Sequence, residues 1–269
     1  MDFGICLQSA VAVRLQPSHH SEMVTQVLFG ELFRVIRKDN DWLQILLAYD
    51  NYEGWIPARQ CTHMDEKEYI RLNNADTPVT LDLVQLISDE TRKSVFPILI
   101  GSSLPGFNGK QFNVGQEVFS FEGSLTDFST LENAVTPQER MKGKQQLVED
   151  AMLFLHSPYQ WGGRTPFGID CSGFTQMVYK MKKIRLLRDA SQQATHGELL
   201  SFISEAEPGD LAFFDDDENN IIHVGIMIDK SHIIHASGKV RIDLIDHQGI
   251  YNEESQKYTH KLRMIKRII

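Results

Sequence analysis

At about residue 141 the hydrophobic period changes, and this constrains the fold more than any bulk property. Before it, short runs read as strands: residues 11–15, 32–36 and 42–45. Turn residues separate them, at Gln16-Pro17-Ser18, Phe29-Gly30-Glu31 and Asp39-Asn40-Asp41. Short strands at close spacing with polar turns predict a small barrel over residues 1–65. Residues 94–101 and 117–121 read as further strands, and 66–140 are expected to form a second, degenerate barrel or linker domain. After the change, Leu147, Ala151, Phe154 and Leu155 recur at helical spacing, with Pro158 beyond them. Trp161-Gly162-Gly163 follows, then a helix from about Cys171 with Phe174, Met177, Val178 and Met181 on one face. Past Pro208-Gly209-Asp210 the pattern returns to strands at 211–214, 223–228 and 233–236 and in the terminal run. Helices followed by an antiparallel sheet make residues 141–269 an α+β domain.

Composition adds exclusions. The chain has 269 residues, 42% of them apolar and 23% charged, as in a soluble protein of two or three domains. Its net charge is −9, and no Lys/Arg cluster marks a nucleic-acid face. The three cysteines, Cys6, Cys61 and Cys171, give neither a disulfide framework nor a zinc-ligand pair. The start of the chain lacks a basic segment followed by an apolar one, and no run approaches the roughly 18 apolar residues of a membrane span. A cytoplasmic protein without membrane or nucleic-acid partners is expected.

The chemistry concentrates in one segment, Tyr159-Gln160-Trp161-Gly162-Gly163 followed by Gly168-Ile169-Asp170-Cys171-Ser172-Gly173-Phe174. Cys171 sits where a loop becomes a helix. Free N–H groups and the macrodipole there favour a thiolate, the nucleophilic form. Asp170 is suited to cap that helix. A cysteine nucleophile needs a base within hydrogen-bond reach, oriented by a third polar group. His223 and His235, 12 residues apart, fit those roles on two strands joined by the turn Asp229-Lys230-Ser231-His232. An odd loop of three residues would set them directly opposite on one face, and a bulge could also adjust the register.

These pieces resemble the NlpC family of papain-like cysteine peptidases. The resemblance rests on Tyr-Gln-Trp-Gly-Gly, Gly-Ile-Asp-Cys-Ser-Gly-Phe, Pro-Gly-Asp-Leu, His-Val-Gly-Ile and Ile-His-Ala, spanning residues 159–236. It implies Cys171 as nucleophile, His223 as general base and His235 as its orienting partner. Asp170 and Ser172 flank the nucleophile as substrate contacts. Arg188-Asp189-Ala190-Ser191-Gln192-Gln193 is similar to the family's stretch beside the cleft, which brings in Ser191. Tyr159 falls on the substrate side and Trp161 on the cleft floor. The early residues Val-Arg-Leu-Gln-Pro-Ser and Tyr52-Glu53-Gly54-Trp55-Ile56-Pro57 resemble bacterial SH3-like domains over about 60 residues. A papain-like peptidase domain behind one or two such barrels is therefore expected.

That combination is similar to the γ-D-glutamyl-L-diamino acid endopeptidases, also described as dipeptidyl-peptidase VI. In them the barrel closes one end of the cleft and admits peptides with a free N-terminal L-Ala. Glu22 and Tyr52 stand at the matching positions, Glu22 to pair with the substrate ammonium group. A tyrosine hydroxyl or the Cys171 N–H would serve the oxyanion. The resemblance implies a peptidoglycan-derived peptide as partner, a role in murein recycling and no cofactor. An amidase or acyltransferase on the same plan would keep Cys171 and His223, and a non-enzymatic wall-binding protein would have lost them. A metal enzyme built on His223 and His235 lacks an evident third ligand. The acidic run 215–218 lacks the Asp-x-Asp-x-Asp-Gly pattern of a calcium loop.

Overall fold

A computed structural model of the chain describes residues 2–126 and 136–269. The stretch 127–135, inside the segment expected to form a second barrel, lies outside the described residues. Two compact units result: Met1–Asp127 with Trp161–Pro166, and Phe128–Gln160 with Phe167–Ile269.

The first unit opens with β1 (Asp2–Ile5), β2 (Ala10–Arg14), β3 (Met23–Leu28), β4 (Leu32–Asp39), β5 (Trp42–Leu47), β6 (Glu53–Pro57) and β7 (Thr62–Met64). They form one sheet in the order β3-β2-β6-β5-β4-β1-β7. Alternation explains it: in β2, Val11 and Val13 are buried while their neighbours are half-exposed. Val11, Val13, Val27, Phe33, Ile45 and Ile56 close one core. After α1 (Glu66–Asn73), capped by Asp65, come β8 (Val84–Asp89), β9 (Ser94–Leu99), β10 (Gln111–Val114) and β11 (Glu117–Phe121). Their antiparallel order is β10-β11-β8-β9. A second core joins Ile5 and Leu32 of the first sheet, and Phe29 of the turn between β3 and β4, to Ile87, Ile98, Phe112 and Phe119 of the second sheet. Within this unit Arg164, wholly buried, makes a two-pronged ion pair with Glu31, both bonds 2.9 Å.

The second unit begins with α2 (Pro137–Met152). Thr136 caps it with Glu139 in a reciprocal box, and proline stands in its first turn, where a missing N–H costs nothing. Two short strands follow, β12 (Arg164–Thr165), which belongs to the first unit, and β13 (Gly168–Ile169). Then come α3 (Cys171–Lys180), α4 (Ala190–Gln193) and β14 (Glu198–Leu199). Six strands complete the unit: β15 (Leu211–Asp215), β16 (Ile221–Met227), β17 (His232–Ser237), β18 (Lys239–Ile245), β19 (Gly249–Asn252) and β20 (Lys257–Arg267). The sheet order is β14-β20-β15-β16-β17-β18-β19, and β19 also pairs with β20, so β15 to β20 close into a barrel. Closure depends on Gly249, because a Cβ there would sit 1.8 Å from the His260 carbonyl oxygen. Every residue of α3 is buried, which makes it the central helix of the unit. Burying Phe174, Met177 and Val178 contributes about 1.5–3 kcal/mol each.

No helix among the described residues is long and apolar enough to cross a membrane.

Candidate active site

The start of α3 is held from two directions. Asp170 caps the helix, its Oδ1 accepting the Gly173 N–H at 2.7 Å. The same carboxylate takes two bonds from Arg188, at 2.6 and 3.0 Å, and both side chains are nearly inaccessible. Arg188 also donates to Ser172 Oγ at 2.9 Å. Gln193 donates to the Ser172 carbonyl at 3.0 Å and accepts from Thr175 Oγ1. The segment 188–193 therefore clamps the first turn of α3.

Cys171 opens that turn and is 5% exposed. Burial pushes its thiol up to about 12, and Asp170 adds to this. The Val224 N–H, the Arg188 guanidinium and the Ser172 N–H pull the other way. The expectation of an easily ionised thiol took account only of the helix start. Desolvation outweighs the dipole here, so the resting sulfur is a thiol that two backbone N–H groups already face.

His223 and His235 do share a face of the barrel, but diagonally rather than directly opposite. Five residues separate the paired Met227 and Ile233, so Gly225, not His223, stands opposite His235. The diagonal brings the rings together, with His223 Nε2 2.8 Å from His235 Nδ1. Gly225 makes this possible: a Cβ there would lie 2.8 Å from His235 Cβ and 2.7 Å from Ile233 Cδ1. The diagonal step repeats on the next strand. Arg241 pairs with His235, Asp243 pairs with Ile233, and Asp243 Oδ2 lies 2.9 Å from His235 Nε2. Asp243 is 6% exposed and takes a further bond from Arg241 to Oδ1 at 2.9 Å. Burial raises its carboxyl, but the bonds from His235 and Arg241 outweigh that and hold it below the usual range.

Burial also holds His223 well below the usual imidazole range, with His235 and His260 pushing the same way. His235 is lowered by burial against the pull of Asp243. Both rings are therefore neutral at pH 7. A third histidine, absent from the sequence expectation, stands close: His260 of β20 stacks on His223 with centroids 4.1 Å apart and planes 25° apart. One ring nitrogen from each of the three histidines falls within a 4.8 Å cluster. Because lone pairs lie in the ring planes, two near-parallel stacked rings do not converge them on one ion.

Tyr159 belongs to the same unit, its N–H bonded to the Gly238 carbonyl at 3.0 Å. Burial pushes its hydroxyl up to about 12, with Cys171 and Asp170 adding, so it remains an O–H donor near the nucleophile. Ser191 is exposed on α4. Glu22, Tyr52 and Trp161 belong to the first unit. There the Trp161 indole N–H donates to the exposed Glu22 carboxylate, and Tyr52 packs on the barrel core. Ser172 and Asp170 are tied into the Arg188 network described above.

Sequence reasoning missed Asp243 and His260. Asp243 was accessible in principle: a tight turn at Gly238 sets His235 against Arg241 and so turns Asp243 to the same face. His260 needs barrel closure, which no local pattern reports.

Residues 156–263 match the NlpC/P60 family, and residues 13–60 match the bacterial dipeptidyl-peptidase SH3 domain. The chain is 26% identical to a γ-D-glutamyl-L-lysine dipeptidyl-peptidase of Bacillus cereus, over 83% of this chain and 70% of that protein. It is 24% identical to dipeptidyl-peptidase 6 of Lysinibacillus sphaericus, over 87% of this chain and 88% of the other. The fold is similar to that of a crystallised NlpC/P60 family protein from Bacillus cereus, with a TM-score of 0.79 at 20% identity over 99% of both chains. The buried cysteine at a capped helix start and the histidine pair across the barrel thus sit in a cysteine peptidase with a papain-like NlpC/P60 domain behind a bacterial SH3-like domain.

Proposed function

We propose that this peptidase hydrolyses the bond between γ-D-Glu and an L-diamino acid in peptidoglycan peptides that carry a free N-terminal L-Ala, releasing L-Ala-γ-D-Glu. The observation that carries the catalytic assignment is the bonded row His223, His235, Asp243 across β16, β17 and β18, with the Cys171 sulfur facing the N–H of Val224, the residue after His223. In this reading Cys171 Sγ attacks the γ-carbonyl as His223 takes the thiol proton. The proton passes to the leaving amine, and water, activated by the same imidazole, opens the thioester. His235 orients His223. The Tyr159 hydroxyl and the Cys171 N–H serve the oxyanion. Glu22 accepts the substrate ammonium group, supported by an indole bond that fixes its carboxylate, and Tyr52, Trp161 and Ser191 complete the substrate contacts. Asp170 and Ser172 act through the Arg188 network that fixes the nucleophile.

Residues 1–65 are assigned in this reading to the SH3-like barrel, 66–140 to a second, degenerate one or a linker domain, and 141–269 to the peptidase domain. The bond chosen is that in the names of the relatives, which are dipeptidyl-peptidases acting on γ-D-glutamyl-L-lysine in two of them. Three free cysteines suit a reducing cytoplasm and a part in murein peptide recycling. The test uses L-Ala-γ-D-Glu-meso-diaminopimelate, its L-Lys analogue and the N-acetylated form of each, with products read by mass spectrometry and Cys171→Ala as control. Release of L-Ala-D-Glu from the free-amine peptides alone is expected. Equal cleavage of the acetylated forms sinks the Glu22 role, and no cleavage of any peptide sinks this substrate in favour of an amidase or acyltransferase.

A further inference from the structure

We propose that Asp243 is a positioning residue that fixes the proton on both active-site histidines; this rests on the reading of His223 as base. An ionised carboxylate only accepts hydrogen bonds. Asp243 Oδ2 lies 2.9 Å from His235 Nε2, so that nitrogen carries the hydrogen. In a neutral ring the other nitrogen, Nδ1, is then an acceptor. It lies 2.8 Å from His223 Nε2, which must therefore donate. One more step leaves the lone pair of His223 on Nδ1, the nitrogen not engaged with His235. A single buried charge thus selects the tautomer of a ring two strands away.

Arg241 makes this choice rigid. It donates to Asp243 Oδ1 at 2.9 Å, and its Nε lies 2.7 Å from Oδ2. Glu254, 3.2 Å from Arg241, holds the guanidinium from the solvent side. The charged and titratable groups facing the row are therefore Arg241 and Glu254 at one end and His260, stacked on His223, at the other.

Asparagine and alanine at position 243 have different consequences. In Asp243→Asn the amide oxygen turns to Arg241, the stronger donor, and the NH2 turns to His235. His235 Nε2 must then accept, Nδ1 donates, and the proton of His223 is driven onto Nδ1, where the base lone pair belongs. Asp243→Ala takes the partner from His235 Nε2 but imposes no wrong tautomer. Exchanging aspartate for asparagine behind the histidine of a serine-protease triad lowers kcat about 10⁴-fold through the same error. One ring further away, and with outer-shell substitutions typically costing 10–100-fold, a loss of about 10²-fold is expected.

The full chain with 15N-labelled histidine reads the tautomers directly from two-bond 1H–15N couplings. Wild type is expected to show Nε2–H on His223 and His235, and Asp243→Asn to show Nδ1–H on both. Kinetics on the cleaved peptide should place Asp243→Asn below Asp243→Ala in kcat, with KM little changed. Asp243→Asn/Arg241→Leu should recover part of the loss, because the amide can then turn its oxygen to His235. Unchanged tautomers in Asp243→Asn, or a double variant no better than the single, overturns the proposal. A fully active His223→Ala variant would instead overturn the reading of the site, which the spectra do not depend on.

Discussion

Replacing either member of the Asp170–Arg188 pair should loosen the start of α3 far more than replacing both. Asp170 is 4% exposed and Arg188 1%, and they share two bonds of 2.6 and 3.0 Å. Removing one partner breaks a buried ion pair from one side, which costs about 3–5 kcal/mol. Asp170→Asn retains an oxygen to cap Gly173 and should show that cost alone, whereas Asp170→Ala adds about 1 kcal/mol for the lost cap. Arg188→Met takes the two guanidinium bonds from the Asp170 carboxylate and also removes a donor to Ser172. In Asp170→Asn/Arg188→Met the charge pair is gone from both sides, so the double variant should cost less than either single, which places it more than about 3 kcal/mol below the sum of the singles. The assay must report on the right unit. Trp42, Trp55 and Trp161 are the three tryptophans and all belong to the first unit, so fluorescence is blind to α3. Hydrogen exchange of peptides covering residues 171–180, with far-UV dichroism in urea, reads it. Single variants each costing less than about 1 kcal/mol, or costs that simply add, would refute the reasoning.

Gly225→Ala should displace His235 from His223, since the new Cβ would lie 2.8 Å from His235 Cβ. The overpacking should destabilise by about 1–3 kcal/mol and the misplaced ring should lower kcat about 10²-fold; thermal unfolding and steady-state kinetics check both, and an unchanged kcat would show that the close approach is irrelevant. Stability should fall as pH drops below about 6.5. His223 and His235 are held below the usual imidazole range, so the unfolded chain takes protons that the folded one refuses. Each ring contributes a slope of about 1.4 kcal/mol per pH unit until its folded pKa is reached. The depressed carboxyl of Asp243 extends the loss to lower pH. A urea midpoint that stays level from pH 7 to pH 5 would contradict this.

What the sequence determined is local. Short apolar runs between turn residues placed β2, β4, β5, β9 and β11, and in β2 and β5 burial alternates because a strand with one buried face must alternate. The run Asp170-Cys171-Ser172-Gly173 announced a capped helix start, because a cap is decided by its own residue and the N–H groups two or three positions on. The motif text also singled out Cys171, His223 and His235. Tertiary structure decided the rest. The register of β16 on β17, with Gly225 and not His223 opposite His235, set the two histidines diagonally, and that register could only be read from the pairing. Closure of β19 onto β20 brought in His260, and the register of β18 brought in Asp243. Burial overruled the helix dipole at Cys171, because desolvation depends on what every other element leaves open to water, and no window of sequence carries that information.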